Sequence, residues 1–253
     1  MDTVRALPAI TLQEVNDNAA LQLRVDRKYL VSPQRWSTVL ASLEPAPSVL
    51  EIDDLRSFRY SSTYYDTPVL DSYRDAARSR PHRYKVRTRH YLDTGSRAVE
   101  IKMRSSAGRT AKSRQWLDRP EAGGLLSAAA VTFLREFERI GDQAYELTEV
   151  LTTTYERVTF LMDEARVTVD RDVSATDTGG QRMDYGDLLF VETKSAGGAG
   201  AVDRAFWAGG VRPARISKYC TSLAALRPEL PSNRWSRSLR RYLPQGTAAA
   251  VAA

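Results

Sequence analysis

Residues 83–91, RYKVRTRHY, alternate from Arg83 to Arg89 between cations and other side chains. Side chains of an extended strand point the same way at every second residue, so Arg83, Lys85, Arg87 and Arg89 share one face, with Tyr84, Val86 and Thr88 on the other. The stretch predicts a β-strand with a basic face. Working outward, RAVEIKMR (97–104) separates Val99, Ile101 and Met103 from Glu100, Lys102 and Arg104, and KSRQWL (112–117) sets Lys112 beside Arg114. LQLRVDRKYL (21–30) places Leu23, Val25, Arg27 and Tyr29 opposite Arg24, Asp26 and Lys28, and LLFVETK (188–194) puts Glu192 and Lys194 on the face of Leu188 and Phe190. One such strand reads as a half-buried sheet with a solvated outer side. Repetition changes the reading, because several strands carry cations on one face with few carboxylates among them.

The basicity is local. Between Arg83 and Arg119 there are eleven Lys and Arg against three acids, whereas the whole chain of 253 residues carries only +6. Such a concentration points to an anionic partner. The single cysteine, Cys220, forms no internal disulfide, and His82 and His90 make no familiar zinc spacing with it, so a reducing cytoplasm is expected. The N-terminus lacks the pattern of a signal peptide, and no run approaches the ~18 apolar residues of a membrane span.

Helices punctuate the strands. SPQRWSTVLASL opens with Ser32 as N-cap and Pro33 at the first helical position, LLSAAAVTFLREFER predicts a longer helix over 125–139, and DRAFWAGG closes at Gly209 and Gly210. SKYCTSLAAL predicts a last helix with Cys220 in the core, ended by Pro228. His82 and His90 read as exposed strand histidines, and Asp66 and Pro68 of YYDTP suit a turn after a strand, with Tyr65 packed. Trp116 and Trp207 read as core or rim, not as a base-stacking platform. RWSRSLRRYL (234–243) predicts a short basic helix or an arm, and the Ala-rich end predicts disorder. No linker divides the chain. The expected organisation is an N-terminal extension over 1–20, one domain over 21–230 and a basic, Ala-rich tail over 231–253.

The sequence holds no P-loop, no G-x-S-x-G elbow and no G-x-G-x-x-G after a strand. Phosphate chemistry needs fewer parts: cations around the phosphoryl oxygens, positioning, and a divalent metal held by carboxylates. A sheet closed into a barrel would line its lumen with these cations and with Glu100 and Glu192. A polyphosphate chain would neutralise a charge that otherwise repels itself.

The stretches RVDRKYLV, YSSTYYDTPVLDSYRD, RYKVRTRHY, VEIKMR, KSRQWL, TTYERVTF, VTVDRDV, FVETK and RISKY occur in the order found in the VTC domain, and the chain resembles that family from about Leu23 to Leu226. The VTC domain is the catalytic part of the eukaryotic vacuolar transporter chaperone complex. With the CYTH proteins it belongs to the triphosphate tunnel metalloenzymes. The resemblance implies an α+β, mainly antiparallel fold, an eight-stranded tunnel β-barrel with flanking helices. It also implies binding of triphosphate and polyphosphate with Mn²⁺ or Mg²⁺ and, as in the eukaryotic member, polymerisation of the ATP γ-phosphate.

Carried over position by position, the phosphate-binding cations are Lys28, Arg87, Arg89, Lys102, Arg157 and Lys218. Tyr155 and Ser217 donate hydrogen bonds to phosphate, Glu192 holds the metal, and Arg215 stands where the eukaryotic enzyme has lysine. Lys112, Arg114, Lys194 and Glu100 join the substrate face, the last two by alternation. CYTH proteins carry E-x-E-x-K on their first strand where this chain has Arg24, Asp26 and Lys28. The missing carboxylate pair argues against a two-metal hydrolase or cyclase.

The expected activity is therefore a polyphosphate polymerase using ATP, with pyrophosphate or polyphosphate as acceptor. Triphosphate hydrolysis and non-catalytic polyphosphate binding are the alternatives. Nucleic acid is not expected as a partner, because aromatic residues are not interleaved with the basic strands as stacking platforms would require. A cytoplasmic place is expected, with peripheral association at the inner face of the membrane through a separate membrane protein left open.

Overall fold

The computed structural model describes residues 2–18, 25–104, 110–118, 125–162, 165–195, 197–243 and 248–250. Leu23 and Arg24, included in the alternation of the first strand, lie outside the described residues. The chain begins with α1 (Asp2–Arg5), β1 (Ala9–Ile10), α2 (Leu12–Asn18), β2 (Val25–Val31), α3 (Pro33–Ala41) and β3 (Ser48–Leu50). It continues with β4 (Phe58–Asp66), α4 (Asp71–Ala77), β5 (Tyr84–Tyr91), β6 (Arg97–Arg104), β7 (Thr110–Leu117) and α5 (Ala128–Arg135). Two long strands follow, β8 (Thr148–Met162) and β9 (Ala165–Asp177), then β10 (Gln181–Asp184) and β11 (Leu189–Ser195). The last elements are α6 (Ala201–Ala208), α7 (Lys218–Leu226), α8 (Ser236–Tyr242) and β12 (Ala248–Ala250). Among the described residues β1 and β3 pair in parallel, whereas β2–β11, β9–β11, β9–β10, β10–β12, β3–β8, β4–β5, β5–β6 and β6–β7 pair antiparallel. The fold is α+β and mainly antiparallel with flanking helices, as the sequence predicts.

The residues fall into two compact units: Met1–Arg59, Tyr155–Val173 and Tyr185–Arg215 form the first, and Tyr60–Thr154, Ser174–Asp184 and Ile216–Ala253 the second. In the first unit, alternation turns Tyr29, Val31, Phe160, Met162, Val167, Val169, Leu189 and Val191 to one side of the sheet. Trp36, Val39 and Leu40 of α3 and Val202 and Phe206 of α6 cover them. Helix α3 starts where expected, with Ser32 Oγ accepting from the Arg35 amide at 3.2 Å and Pro33 following. Arg27 sits on this core side. Its guanidinium meets the buried Asp203 at 3.2 Å, and Asp203 also accepts from the Tyr29 hydroxyl and Thr193 Oγ1, each at 2.7 Å. Arg27 is thus neutralised inside the fold.

In the second unit, Tyr65, Tyr84, Val86, Val99 and Ile101 pack against Ala130, Phe133 and Leu134 of α5. Helix α5 is shorter than the predicted 125–139. Ser127 Oγ caps it by accepting from the Ala130 amide, and after Arg135 the backbone tightens into i→i−3 turns at Phe137 and Ile140. Helix α7 begins at the predicted Ser217 cap, and Cys220 is fully buried. The segment around Arg237–Arg241 is helical, as one of its two expected forms, and Ala248–Ala250 pair with β10 where disorder was expected. His82 lies in a turn at φ +55°, not in a strand, and His90 is half-buried on β5 beside Arg97. No helix among the described residues is long and apolar enough to cross a membrane.

Candidate functional site

Antiparallel pairing arranges the charged side of the second unit in rows, because directly opposed residues share a face. Lys85, Lys102 and Lys112 stand abreast on β5, β6 and β7. The next row is Tyr64, Arg87, Glu100 and Arg114, and the one beyond is Ser62, Arg89, Ala98 and Trp116. Like charges directly opposed across strands destabilise a sheet. The three-lysine row therefore marks a place kept for something other than stability.

Glu100 is the counter-charge of this face. Its carboxylate is only 2% exposed and receives Arg87 Nη2 at 2.6 Å and Lys112 Nζ at 2.5 Å, with Arg89 Nη2 at 3.7 Å. Burial pushes the Glu100 carboxyl up, yet Arg87, Arg89 and Lys112 together outweigh it and hold the group well below the usual carboxylate range. The Lys112 ammonium is lowered to about 8, chiefly by burial and further by Arg87 and Arg89, against the pull of Glu100. Arg89 is nearly buried, and its Nε makes no hydrogen bond. The Oγ of its register partner Ser62 is likewise buried without a partner.

Helix α7 is anchored to this face by the YYDTP stretch. Asp66, fully buried, accepts from the amides of Thr67, Ser72 and Tyr73, each at 2.9 Å, and from the Tyr219 hydroxyl at 2.7 Å. Tyr219 stacks on Tyr64 at 5.0 Å, and the Tyr64 hydroxyl receives Arg87 Nη1 at 3.3 Å. Lys85 Nζ donates to Ser217 Oγ at 2.8 Å, which also accepts from the Cys220 amide. Asp66 thus does more than make the predicted turn: through Tyr219 it sets where Ser217 and the half-buried Lys218 begin α7.

The first unit carries a smaller charged face opposite its core. Glu192 on β11 pairs with Lys28 on β2 at 2.9 Å and is also bonded by Lys194, while Asp26 lies 4.0 Å from the Lys194 ammonium. Burial is the main cause that lowers Lys194 to about 8, with Lys28 adding to it, while Glu192 and Asp26 pull it up. Arg157 forms a two-point fork on Asp170, at 2.5 and 2.8 Å. It also lies over the ring of the buried Tyr155, 5.3 Å from its centroid.

The structure thus groups Arg87, Arg89, Glu100, Lys102, Lys112, Arg114, Ser217 and Lys218 in the second unit, and Lys28, Tyr155, Arg157, Glu192 and Lys194 in the first. Arg215 is exposed in the segment before α7. Sequence reading missed Asp170, Lys85 as the partner of Ser217, and Tyr64. Alternation in VTVDRD places Asp170 on the face of Thr168, which was the available signal for it.

The two depressed lysines have a consequence for pH. From the ordinary 10.5 down to about 8, each binds its proton more weakly in the fold than in the unfolded chain. Their contribution to stability is present above the unfolded value and is lost as pH falls through about 8. Anion binding has the opposite sign, since it needs the charged forms. Affinity for tripolyphosphate is expected to fall as pH rises through this window. Calorimetry near pH 8 in buffers of different ionisation enthalpy is expected to show proton uptake on binding; uptake of none would exclude these lysines.

The VTC domain family model matches residues 23–227. Among solved structures, HpAC1 from Hippeastrum, described as having a dominant triphosphatase activity, is 14% identical with a TM-score of 0.49, over 83% of this chain and 99% of that one. A candidate adenylate cyclase from Bacillus halodurans is 13% identical with a TM-score of 0.48, over 78% and 94% of the two chains. The PH1819 protein of Pyrococcus horikoshii OT3 is 16% identical with a TM-score of 0.45, over 81% and 98%. The comparison with curated proteins found no match. With its motifs in order and the family model spanning residues 23–227, the chain belongs to the VTC domain family.

Proposed function

We propose that the protein binds triphosphate and polyphosphate on its charged sheet faces and lengthens polyphosphate with the γ-phosphate of ATP. The observation that carries this reading is the row Lys85, Lys102 and Lys112 beside Arg87, Arg89 and Arg114, with Glu100 as the acid inside it. Arg forks match pairs of phosphate oxygens, and lysines act as point charges that follow a chain of them. Ser217 Oγ already accepts from Lys85 and the Cys220 amide, so its own proton is the one to give to a phosphate oxygen. The amino-terminal end of α7 adds a partial positive charge at the same place.

The reaction needs no side-chain nucleophile. A terminal oxygen of the acceptor chain forms a bond to the γ-phosphorus of ATP, the bond to the β,γ-bridging oxygen breaks, and ADP leaves with those electrons. Arg87, Arg89 and the lysine row hold the charge on the transferred group. No group of three or more His, Cys, Asp or Glu among the described residues could hold a metal ion by itself. Glu192, a single carboxylate paired with Lys28 and Lys194, would be the residue to hold Mg²⁺ or Mn²⁺. Such an ion would supply positive charge against the phosphate oxygens.

Incubation with ATP and Mn²⁺, with and without pyrophosphate, is expected to yield a ladder of polyphosphate growing with time on a gel. Free phosphate without a ladder would replace polymerase by triphosphatase, and neither product would leave a binding module. The Glu192→Gln variant is expected to lose activity or its response to metal. Metal dependence equal to the wild type would show that another group is the ligand.

A further inference from the structure

We propose that Trp116 and Tyr91, at one end of the second unit's cationic face, stack the base of a nucleoside triphosphate whose phosphates run along the arginine and lysine rows. This rests on the phosphate reading above and adds the part of the substrate that inorganic polyphosphate lacks. Tyr60 and Tyr91 are register partners on β4 and β5 with ring centroids 5.3 Å apart. The ring of Trp116 on β7 reaches Tyr91 at 5.6 Å, and its register partner on the intervening β6 is the small Ala98.

Cations interleave with these rings. Arg89 lies over Tyr60 and Tyr91 at 5.4 and 6.0 Å, and Arg114 lies 4.4 Å over Trp116 while donating to the Tyr91 hydroxyl at 3.2 Å. Alternating rings and guanidinium planes are what base stacking uses, since every base offers a π-face.

A purely structural aromatic ladder would be covered. Trp116 is instead 54% exposed, on the strand that ends the sheet order. In the same cross-strand row, Arg89 Nε and Ser62 Oγ are buried without hydrogen-bond partners. Rows two residues apart lie about 7 Å from one another along a strand. A base on Trp116 therefore sets the first phosphates over Arg87 and Arg114 and the terminal one over Lys85, Lys102 and Lys112.

The test compares ATP with inorganic tripolyphosphate by calorimetry and tryptophan fluorescence, in the wild type, Trp116→Ala and Trp116→Phe. ATP is expected to quench the fluorescence of the wild type, and tripolyphosphate is not. Trp116→Ala is expected to weaken ATP about tenfold, ~1.4 kcal/mol, while shifting tripolyphosphate by less than about twofold, and Trp116→Phe to restore most of the loss. Equal weakening of both ligands, or unchanged ATP affinity, overturns the base site. A wild type that binds neither ligand overturns the phosphate reading itself, whereas tight tripolyphosphate with no gain for ATP removes only the base site. A single-stranded oligonucleotide that outcompetes ATP would assign the platform to nucleic acid instead.

Discussion

Replacing Glu100 by Gln is expected to lower the melting temperature by about 10 °C, and saturating tripolyphosphate to restore most of that loss. Glu100 is 2% exposed and pairs with Arg87, Arg89 and Lys112 at once, and Arg89 is itself buried. Removing one partner of a buried charge cluster costs about 3–5 kcal/mol, because the remaining charges keep their desolvation without compensation. In a chain of this size each kcal/mol is worth roughly 2–4 °C. Tripolyphosphate would supply the missing negative charge, and a ligand at a thousand times its dissociation constant adds about 4 kcal/mol to the folded state. Thermal unfolding with and without the ligand checks both halves. A variant as stable as the wild type would show that these cations need no counter-charge. The depressed carboxyl sets the sign in acid: its stabilisation holds above the ordinary carboxylate range and is lost only as pH falls well below it.

Arg87→Ala is expected to abolish chain synthesis and to weaken tripolyphosphate roughly a hundredfold, while the fold survives. Arg87 is the fork nearest the centre of the face, held by Glu100 on one side and by the Tyr64 hydroxyl on the other. Its loss still leaves Glu100 with Lys112 and Arg89, so the buried carboxylate is not stranded. Lys218→Ala is expected to have the same effect on synthesis, because it opens α7 beside Ser217. Circular dichroism should be unchanged in both variants, and product ladders should vanish. Full activity in both would remove the second unit's face from the mechanism.

Much of this face was legible in period-2 alternation, because a strand has only two sides and Ile101 on the side of α5 fixes Glu100 and Lys102 on the other. Arg27 shows where alternation stops: it lies on the side of Tyr29, as predicted, but only the fold brings Asp203 from α6 to neutralise it. The aromatic row corrects the expectation that no rings interleave with the basic strands, and it was illegible for the same reason. Tyr60, Tyr91 and Trp116 are far apart in the chain, and strand pairing across Ala98 interleaves them with Arg89 and Arg114. The link from Asp66 to Tyr219 spans 153 residues, so YYDTP read as a local turn when it also anchors α7. Helix α5 was overextended because an apolar stretch does not reveal that its last residues turn with i→i−3 bonds.

Titration calorimetry of tripolyphosphate into the wild-type protein near neutral pH, with orthophosphate and sulfate as controls, at low and at moderate salt, tests the central claim most directly. Cations arranged in rows for a phosphate chain predict saturable binding, roughly a hundredfold or more tighter than orthophosphate and weaker as salt rises. Binding no tighter than sulfate, or no saturable binding at all, would contradict it.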